Sequence, residues 1–285
     1  MALQNKIDFI ATIEVINANP NGDPLNNNSP RINFDGYGII SDVALKRKIR
    51  NRLQNMGKNI FVQSKDRIED GHVSLKARYL DKFGKDVVED SNVYAESCKE
   101  WIDVRSFGQV MTFGKIKGDK GTSIGIRGPV SIGISQSLSP VTNIDMQITR
   151  SIMGDTASDT MGLKHYVEHG VYLLKGSINP FFAEKTGFTE EDANLIKEAL
   201  RTLFINDSSA ARPEGSMSVR DLYWIKHPGE LGVKSSGQIF NSIEYNKELD
   251  SFGQFEYEEY NFKLNSDFVK ELEDANVTVE LIEGQ

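Results

Sequence analysis

The chain opens on an alternation. Ile7, Phe9, Ala11, Ile13 and Val15 are apolar, and the positions between them, Asp8, Ile10, Thr12, Glu14 and Ile16, are mostly polar. A period of two predicts a strand with one face on a core and the other toward water. Pro, Gly, Asn and Asp then dominate Asn17-Ala18-Asn19-Pro20-Asn21-Gly22-Asp23-Pro24 and Leu25-Asn26-Asn27-Asn28-Ser29-Pro30. Pro fixes φ and Gly or Asn accept positive φ, so a long irregular loop is expected. Ser41 stands where it can cap a helix from about Asp42 to Met56, stopped by Gly57. At ~100° per residue, Leu45, Ile49, Leu53 and Met56 share one arc, bordered by Lys46 and Arg50 with Arg47 further round. Such a helix packs one face on a core and shows water a cationic flank.

Further along, Ile124, Ile126, Val130, Ile132 and Ile134 predict a strand, in which Gly128-Pro129 implies an edge position or a bulge. Residues 60–100 carry no clear signal. Residues 135–165 are rich in Ser, Thr, Gly and Asp without steady periodicity, and are expected to form an inserted, partly flexible excursion. Val171-Tyr172-Leu173-Leu174 and Leu222-Tyr223-Trp224-Ile225 read as strands. Between them, Thr189-Glu190-Glu191-Asp192 is a capping box opening a helix with Ala193, Ile196, Leu200, Leu203 and Phe204 on one face. A helix from about Ser266 to Ala275 and a strand over Val277–Ile282 close the chain. The order strand, helix, strands, helix, strand predicts an α+β fold with a ferredoxin-like βαββαβ core. That core needs ~80–100 residues, so a single domain over 1–285 with large insertions is expected.

Composition narrows the class. Of 285 residues, 39% are hydrophobic and 26% charged, enough for a full core without staples. The single cysteine, Cys98, excludes a disulfide framework and a Cys-cluster zinc site, which fits a reducing cytoplasm. The opening Met1-Ala2-Leu3-Gln4-Asn5-Lys6 lacks a cationic segment before an apolar run, so neither a secretory nor a membrane-spanning protein is expected. The net charge of −8 is uneven: residues 244–285 hold twelve acids against three lysines, leaving the rest at +1. A local basic track therefore remains open, and the acidic tail reads first as a solubilising face.

Several constellations offer candidate chemistry. His165-Tyr166-Val167-Glu168-His169 spells H-x-x-E-H, a zinc pattern only when a helix stacks the imidazoles; Gly162 and Gly170 flank it, and a local polar role is expected. Lys115, Lys117 and Lys120 sit among glycines at 114–123, but no Gly-Lys pair precedes Ser or Thr, so this is no phosphate loop of the G-x-x-x-x-G-K-[ST] type. There is no G-x-S-x-G elbow, and Cys98 has no evident partner base. What remains is the amide-rich loop and the cationic helix. Asn19, Asn21, Asn26, Asn27 and Asn28 offer donors and acceptors, Gly22 allows close backbone approach, and Lys46, Arg47 and Arg50 suit phosphate oxygens. A merely solvated basic face is the equal alternative.

The same residues carry a likeness. Asn19-Pro20-Asn21-Gly22-Asp23-Pro24, Pro30-Arg31, and Ser41-Asp42-Val43 with Leu45-Lys46-Arg47-Lys48-Ile49-Arg50-Asn51 resemble the RAMP-superfamily backbone subunits of type I-C CRISPR Cascade complexes. Collinear matches follow at Asp103–Met111, Arg127–Val130, Ile148–Arg150, Met161-Gly162 with Lys164-His165, Thr186–Phe188, and Asp207-x-Ser209-Ala210-Ala211-Arg212. The likeness covers most of residues 7–227. It implies an RRM-like core with an inserted thumb, expected over 136–165; beyond residue 227 the likeness thins out, and the acidic helix–strand segment over 244–285 is read from its residues alone. It also implies head-to-tail polymerisation along CRISPR RNA, pairing of the presented guide with target DNA, and contact with other Cascade subunits in the cytoplasm, without membrane, cofactor or metal. By position it points to Asn19, Asn21, Gly22, Arg31, Lys46, Arg47, Arg50, Arg127 and Arg150 for the RNA backbone, and to Ile152 and Met153 at the thumb. Met153 serves as well in a core. A non-catalytic role is expected. The rivals are a metal-dependent target-RNA nuclease like type III relatives, with Asp23 or Asp42 as the acid, and a general single-strand binder.

Overall fold

At the centre lies β1 (Ile7–Ala18), hydrogen-bonded on both sides. This computed structural model describes residues 1–84, 90–112, 123–149, 161–249 and 256–285. After β1 come β2 (Gly22–Asp23), β3 (Ser29–Pro30), β4 (Tyr37–Ile40) and α1 (Asp42–Asn55). A helical stretch follows as α2 (Leu75–Phe83), α3 (Asp90–Glu100) and α4 (Ile102–Phe107). Strands β5 (Gly108–Thr112), β6 (Ser123–Arg127), β7 (Val130–Ile132), β8 (Ser135–Pro140), β9 (Asn143–Thr149) and β10 (Met161–Ile178) lead to α5 (Pro180–Thr186) and α6 (Glu190–Arg201). The chain ends with β11 (Met217–Lys226), α7 (Ser236–Asn241), β12 (Ile243–Glu244), β13 (Lys263–Leu264), α8 (Ser266–Asp274) and β14 (Thr278–Glu283).

The architecture is α+β. A large antiparallel sheet runs β14-β11-β1-β10-β8-β4, and β7 and β9 also pair with β10. On one face Phe9, Ile13, Tyr172, Leu174 and Trp224 pack under Leu45, Ile49 and Leu53 of α1 and Ala193, Ile196 and Leu200 of α6. Both helices start as expected: the Ser41 hydroxyl accepts from the Ala44 amide, and Thr189 and Asp192 complete a reciprocal capping box.

Three expectations are corrected. First, β1 is not half-exposed. Its second face is covered by the C-terminal segment, whose Ile239, Tyr260, Leu264 and Leu272 close over Ile10, Val171, Leu173 and Tyr223. The alternating polar residues survive burial because each has a partner. Asp8 meets His227 at 2.9 Å and Lys6 at 3.1 Å, Thr12 meets the Tyr257 hydroxyl at 2.7 Å, and Glu14 meets Arg220 at 2.6 Å. The acids of that segment are therefore more than a solubilising face: Glu280, Glu271 and Glu258 pair with Lys197, Lys234 and Arg220.

Second, the apolar run 124–134 is two strands. β6 pairs with β5 in a separate ribbon over a satellite core of Phe61, Tyr79, Trp101, Met111 and Ile126, whereas β7 joins the main sheet. The chain changes sheets at Gly128-Pro129, where a Cβ on Gly128 would lie 2.2 Å from the Ser106 carbonyl oxygen. Third, the excursion expected over 135–165 is, in its described residues, mostly strand: β8 at 135–140 belongs to the main sheet, and 143–149 and 161–165 pair with each other. Their periodicity is hidden because β9 and the first part of β10 form a two-stranded projection with solvent on both sides.

Candidate nucleic-acid interface

The end of the sheet where β1 finishes gathers most of the residues singled out by sequence. The loop after β1 turns back through a short β2–β3 ribbon, with Asn17, Asn27 and Asn28 at positive φ. Asn tolerates that region because its short side chain bonds locally. Within the loop the amides are struts. Buried Asn19 donates through Nδ2 to the Asn28 carbonyl at 2.6 Å, and its backbone N–H reaches the Ala211 carbonyl. Asn21 Oδ1 accepts from the Ser41 amide at 2.9 Å, tying the loop to the start of α1. A Cβ on Gly22 would lie 2.1 Å from Asn28 Oδ1, so the glycine is required by the loop itself. Arg31 approaches Asp23 at 3.3 Å with its side chain partly exposed.

The cations of α1 are largely committed. Arg50 donates to Asp103 at 2.9 Å and lies over the Phe107 ring, while buried Asp103 also accepts from the Phe61 and Val62 amides. Arg47 donates to the Val62 carbonyl, and burial, then Arg50, holds its pKa below the usual arginine value. Lys46 pairs with Asp42 at 3.1 Å and keeps a quarter of its side chain in solvent. The flank shown to water is therefore narrower than the helical wheel predicts, because the satellite lobe packs against it.

A buried cluster was missed. Lys48, among the buried residues of α1, is held by Asp207 and lies 5.1 Å from the Phe204 ring centroid. Burial drives its pKa down to about 8, against the pull of Asp207. Arg212 lies 3.4 Å from the same Asp207. The signal was present: Lys48 sits about 60° from Leu45 on the wheel, inside the apolar sector's other edge. This cluster pins the 206–216 loop against α1, next to Asn19.

Beside the loop stands the β9–β10 projection, joined to it where Asn143 Nδ2 donates to the Pro30 carbonyl at 3.1 Å. In its register Ile148 faces Gly162 and Met146 faces Lys164, whereas Met161 pairs with Thr149 and Leu163 with Gln147. Paired residues share a face, so Met146 and Ile148 are displayed on one side and Met161 and Leu163 on the other. All four are exposed, Met161 at 64% and Leu163 at 59%. Arg150, Ile152, Met153, Lys115, Lys117 and Lys120 lie outside the described residues. Arg127 lies at the other end of the sheet, 5.3 Å from the Phe182 ring centroid.

The H-x-x-E-H residues lie on β10, not on a helix. Four strand residues separate the two imidazoles by ~13 Å, too far to share one ion. His165 instead meets Asp145 at 2.5 Å and His169 meets Glu14 at 3.1 Å. The His169 hydrogen bond, with Arg220, holds the Glu14 carboxyl below its ordinary pKa. Among the described residues no three His, Cys, Asp or Glu side chains converge as metal ligands. Of the rival acids, Asp23 pairs with Arg31 and Asp42 with Lys46. No helix among the described residues is long and apolar enough to cross a membrane.

The family model described as CRISPR-associated protein Cas7 matches residues 5–277. A curated relative, CRISPR-associated protein Cas7 of Haloferax volcanii, is 26% identical over 218 residues, covering 69% of this chain and 63% of the relative, less than two thirds of its length. Among solved structures, a chain of a "CRISPR RNA-guided surveillance complex, pre-nicking" aligns with a TM-score of 0.51 at 13% identity, covering 94% of this chain and 89% of that one. A chain of a "CRISPR RNA-guided surveillance complex" aligns at 0.50 and 14%, covering 98% and 89%. At such identities the likeness is one of fold.

Proposed function

The chain belongs to the CRISPR-associated protein Cas7 family, and from that premise we propose that it is a non-catalytic, guide-RNA-binding backbone subunit of a type I Cascade complex, of the I-C subtype. Copies assemble head-to-tail along CRISPR RNA in the cytoplasm, contact other Cascade subunits, and present the guide for pairing with target DNA. Heterologous contacts that do not close give such an open helical filament.

The observation that carries this reading is the β9–β10 projection. Four large apolar side chains stand in solvent on both faces of a two-stranded arm, where they contribute nothing to the core. Apolar wedges between bases cost a few kcal/mol per unstacked step, which flanking backbone contacts must offset. Arg31 lies at the foot of the arm, next to the Pro30 carbonyl that Asn143 meets, Lys46 adds a partly exposed cation on α1, and sequence-independent grip on phosphates needs only such cations. The reading includes a ferredoxin-like core, which the topology supports if β7 and β8 are taken together as its second strand: β1, α1, β7–β8, β10, α6 and β11 then follow the βαββαβ order, with the strands arranged β11-β1-β10-β8. The C-terminal layer occupies the sheet face on which an RRM would stack bases. That favours backbone grip over base readout. Ion pairing of both Asp23 and Asp42 supports the non-catalytic role.

The test is purification of the protein from cells carrying its CRISPR array, followed by sequencing of bound RNA. The expected result is repeat-derived guides with all spacers represented, and no Mg²⁺-dependent cleavage of complementary RNA. Unrelated RNA would favour a general single-strand binder, and cleavage abolished by Asp23→Ala or Asp42→Ala would favour the nuclease.

A further inference from the structure

At the opposite end of the sheet the chain carries a second concentration of aromatic and cationic groups. β1 pairs with β10 from Ile7↔Ile178 to Ala18↔Val167, so α5, which follows Ile178, lies ~35 Å along the strands from the Asn19 loop. Helix α5 is capped by Asn179, whose Oδ1 accepts from the Phe181 amide at 3.0 Å, and Pro180 fixes its first turn. That geometry holds Phe181 57% exposed. The Phe182 ring meets it edge-on, with centroids 5.3 Å apart and planes at 76°. Lys185 Nζ stands 4.1 Å from the Phe181 centroid, and the Arg127 guanidinium stands over Phe182.

A cleft of about 650 Å³ opens beside this group, lined by Lys58, Lys99 and Lys185 among others. Its Arg105 and Asp192 neutralise each other through two hydrogen bonds of 3.0 and 2.7 Å. Glu184 and Glu191 are the remaining acids of the lining, so the lysines outnumber them. Nearby carboxylates are already engaged, Glu100 by Lys82 and Glu190 by Lys226. Among the described residues, Lys58, Lys99, Arg127 and Lys185 take part in no ion pair.

A rigidly held, half-bare aromatic ring flanked by uncommitted cations is what single-stranded nucleic acid binds without regard to sequence: every base has a face to stack, and every linkage a phosphate. We infer that Phe181, with Phe182, Arg127 and Lys185, forms a second single-strand site distinct from the guide groove. One unpaired base stacks on Phe181, and the phosphates beside it run toward Lys185 and the lysines of the cleft. The ligand chemistry is a flexible strand with an unpaired base. It is supplied by DNA displaced during target pairing or by RNA extending beyond the guide.

The test uses the protein loaded to saturation with its guide RNA and titrated with fluorescein-labelled dT15 or U15, read by anisotropy. Phe181→Ala is expected to weaken oligonucleotide binding roughly 5- to 100-fold with guide loading unchanged, while Phe181→Trp restores it. Lys185→Ala is expected to flatten the salt dependence by about one unit. Preference for dT15 or U15 identifies the source of the strand, and either supports the site. Failure of the guide-loaded wild type to bind either oligonucleotide would overturn it, as would unchanged affinity in Phe181→Ala or loss of guide loading in that variant. Failure of the wild type to load guide at all would instead count against the function proposed above.

Discussion

The two ends of strand β10 lie in different surroundings. From Val171 to Leu174 it is buried against both layers of the fold, and from Met161 to Leu163 its apolar side chains stand in water. Large apolar side chains occur in both halves, although the outer one also carries Lys164, His165, Glu168 and His169; what separates those apolar groups is their surroundings. Apolar residues in the inner half hold the sheet to α1 and the C-terminal segment. Met161 and Leu163 at the outer end of β10 lie outside every core cluster, and exposed apolar groups grouped in this way mark an interaction surface. The lesson is that hydrophobicity along one strand reports folding where it is covered and binding where it is not.

The sharpest way to break the comparison is a truncation in each half. Leu174→Ala in the covered half is expected to cost about 4 kcal/mol in urea unfolding, as a cavity in a packed core does. Leu163→Ser in the projecting half is expected to stay within ~0.5 kcal/mol. Equal costs would mean the projection packs on the domain. Helix α1 repeats the contrast with charges. Arg50→Ala leaves Asp103 buried without its partner and is expected to cost about 3 kcal/mol, with RNA binding lost only as the fold is lost. Lys46→Ala is expected to change stability by less than ~0.5 kcal/mol and to reduce the salt slope of RNA binding by about one unit.

The third cation of α1 is tested by pH. The Lys48 ammonium titrates near pH 8 in the folded chain and near 10.5 when unfolded. Above pH 8 the unfolded state therefore binds more protons, and stability from this group rises with pH up to about 10.5. Lys48→Met is expected to remove that rise, read as the pH dependence of the urea midpoint; a wild-type midpoint flat across this window would contradict the assignment.

How much of this was legible in the sequence follows the same division. The strand at Ile7–Val15, the helix capped by Ser41 and the capping box at Thr189 could be read because local pattern and burial agree there. The second burial of β1 could not, since the residues that cover it lie more than 220 positions away, at Ile239 to Leu272. Asn19 and Asn21 stand out in the sequence as donors and acceptors; that their side chains also brace the loop, on the Asn28 carbonyl and the Ser41 amide, is visible only in the fold. Arg47 and Arg50 failed as open contacts because nothing in their helical spacing reveals the satellite lobe that Asp103 and Val62 bring against them. An excursion is expected over 135–165, but its strands could not be read there because two-sided exposure erases the alternation that announces a strand.

The most direct measurement of the central claim is chemical probing of the bases of bound guide RNA, comparing wild type with an Ile148→Ser, Leu163→Ser double variant of equal stability. The account predicts reactive, unstacked bases at a regular interval in the wild type and loss of that pattern in the variant. The same periodic pattern in both proteins, or uniform protection in the wild type, would contradict it.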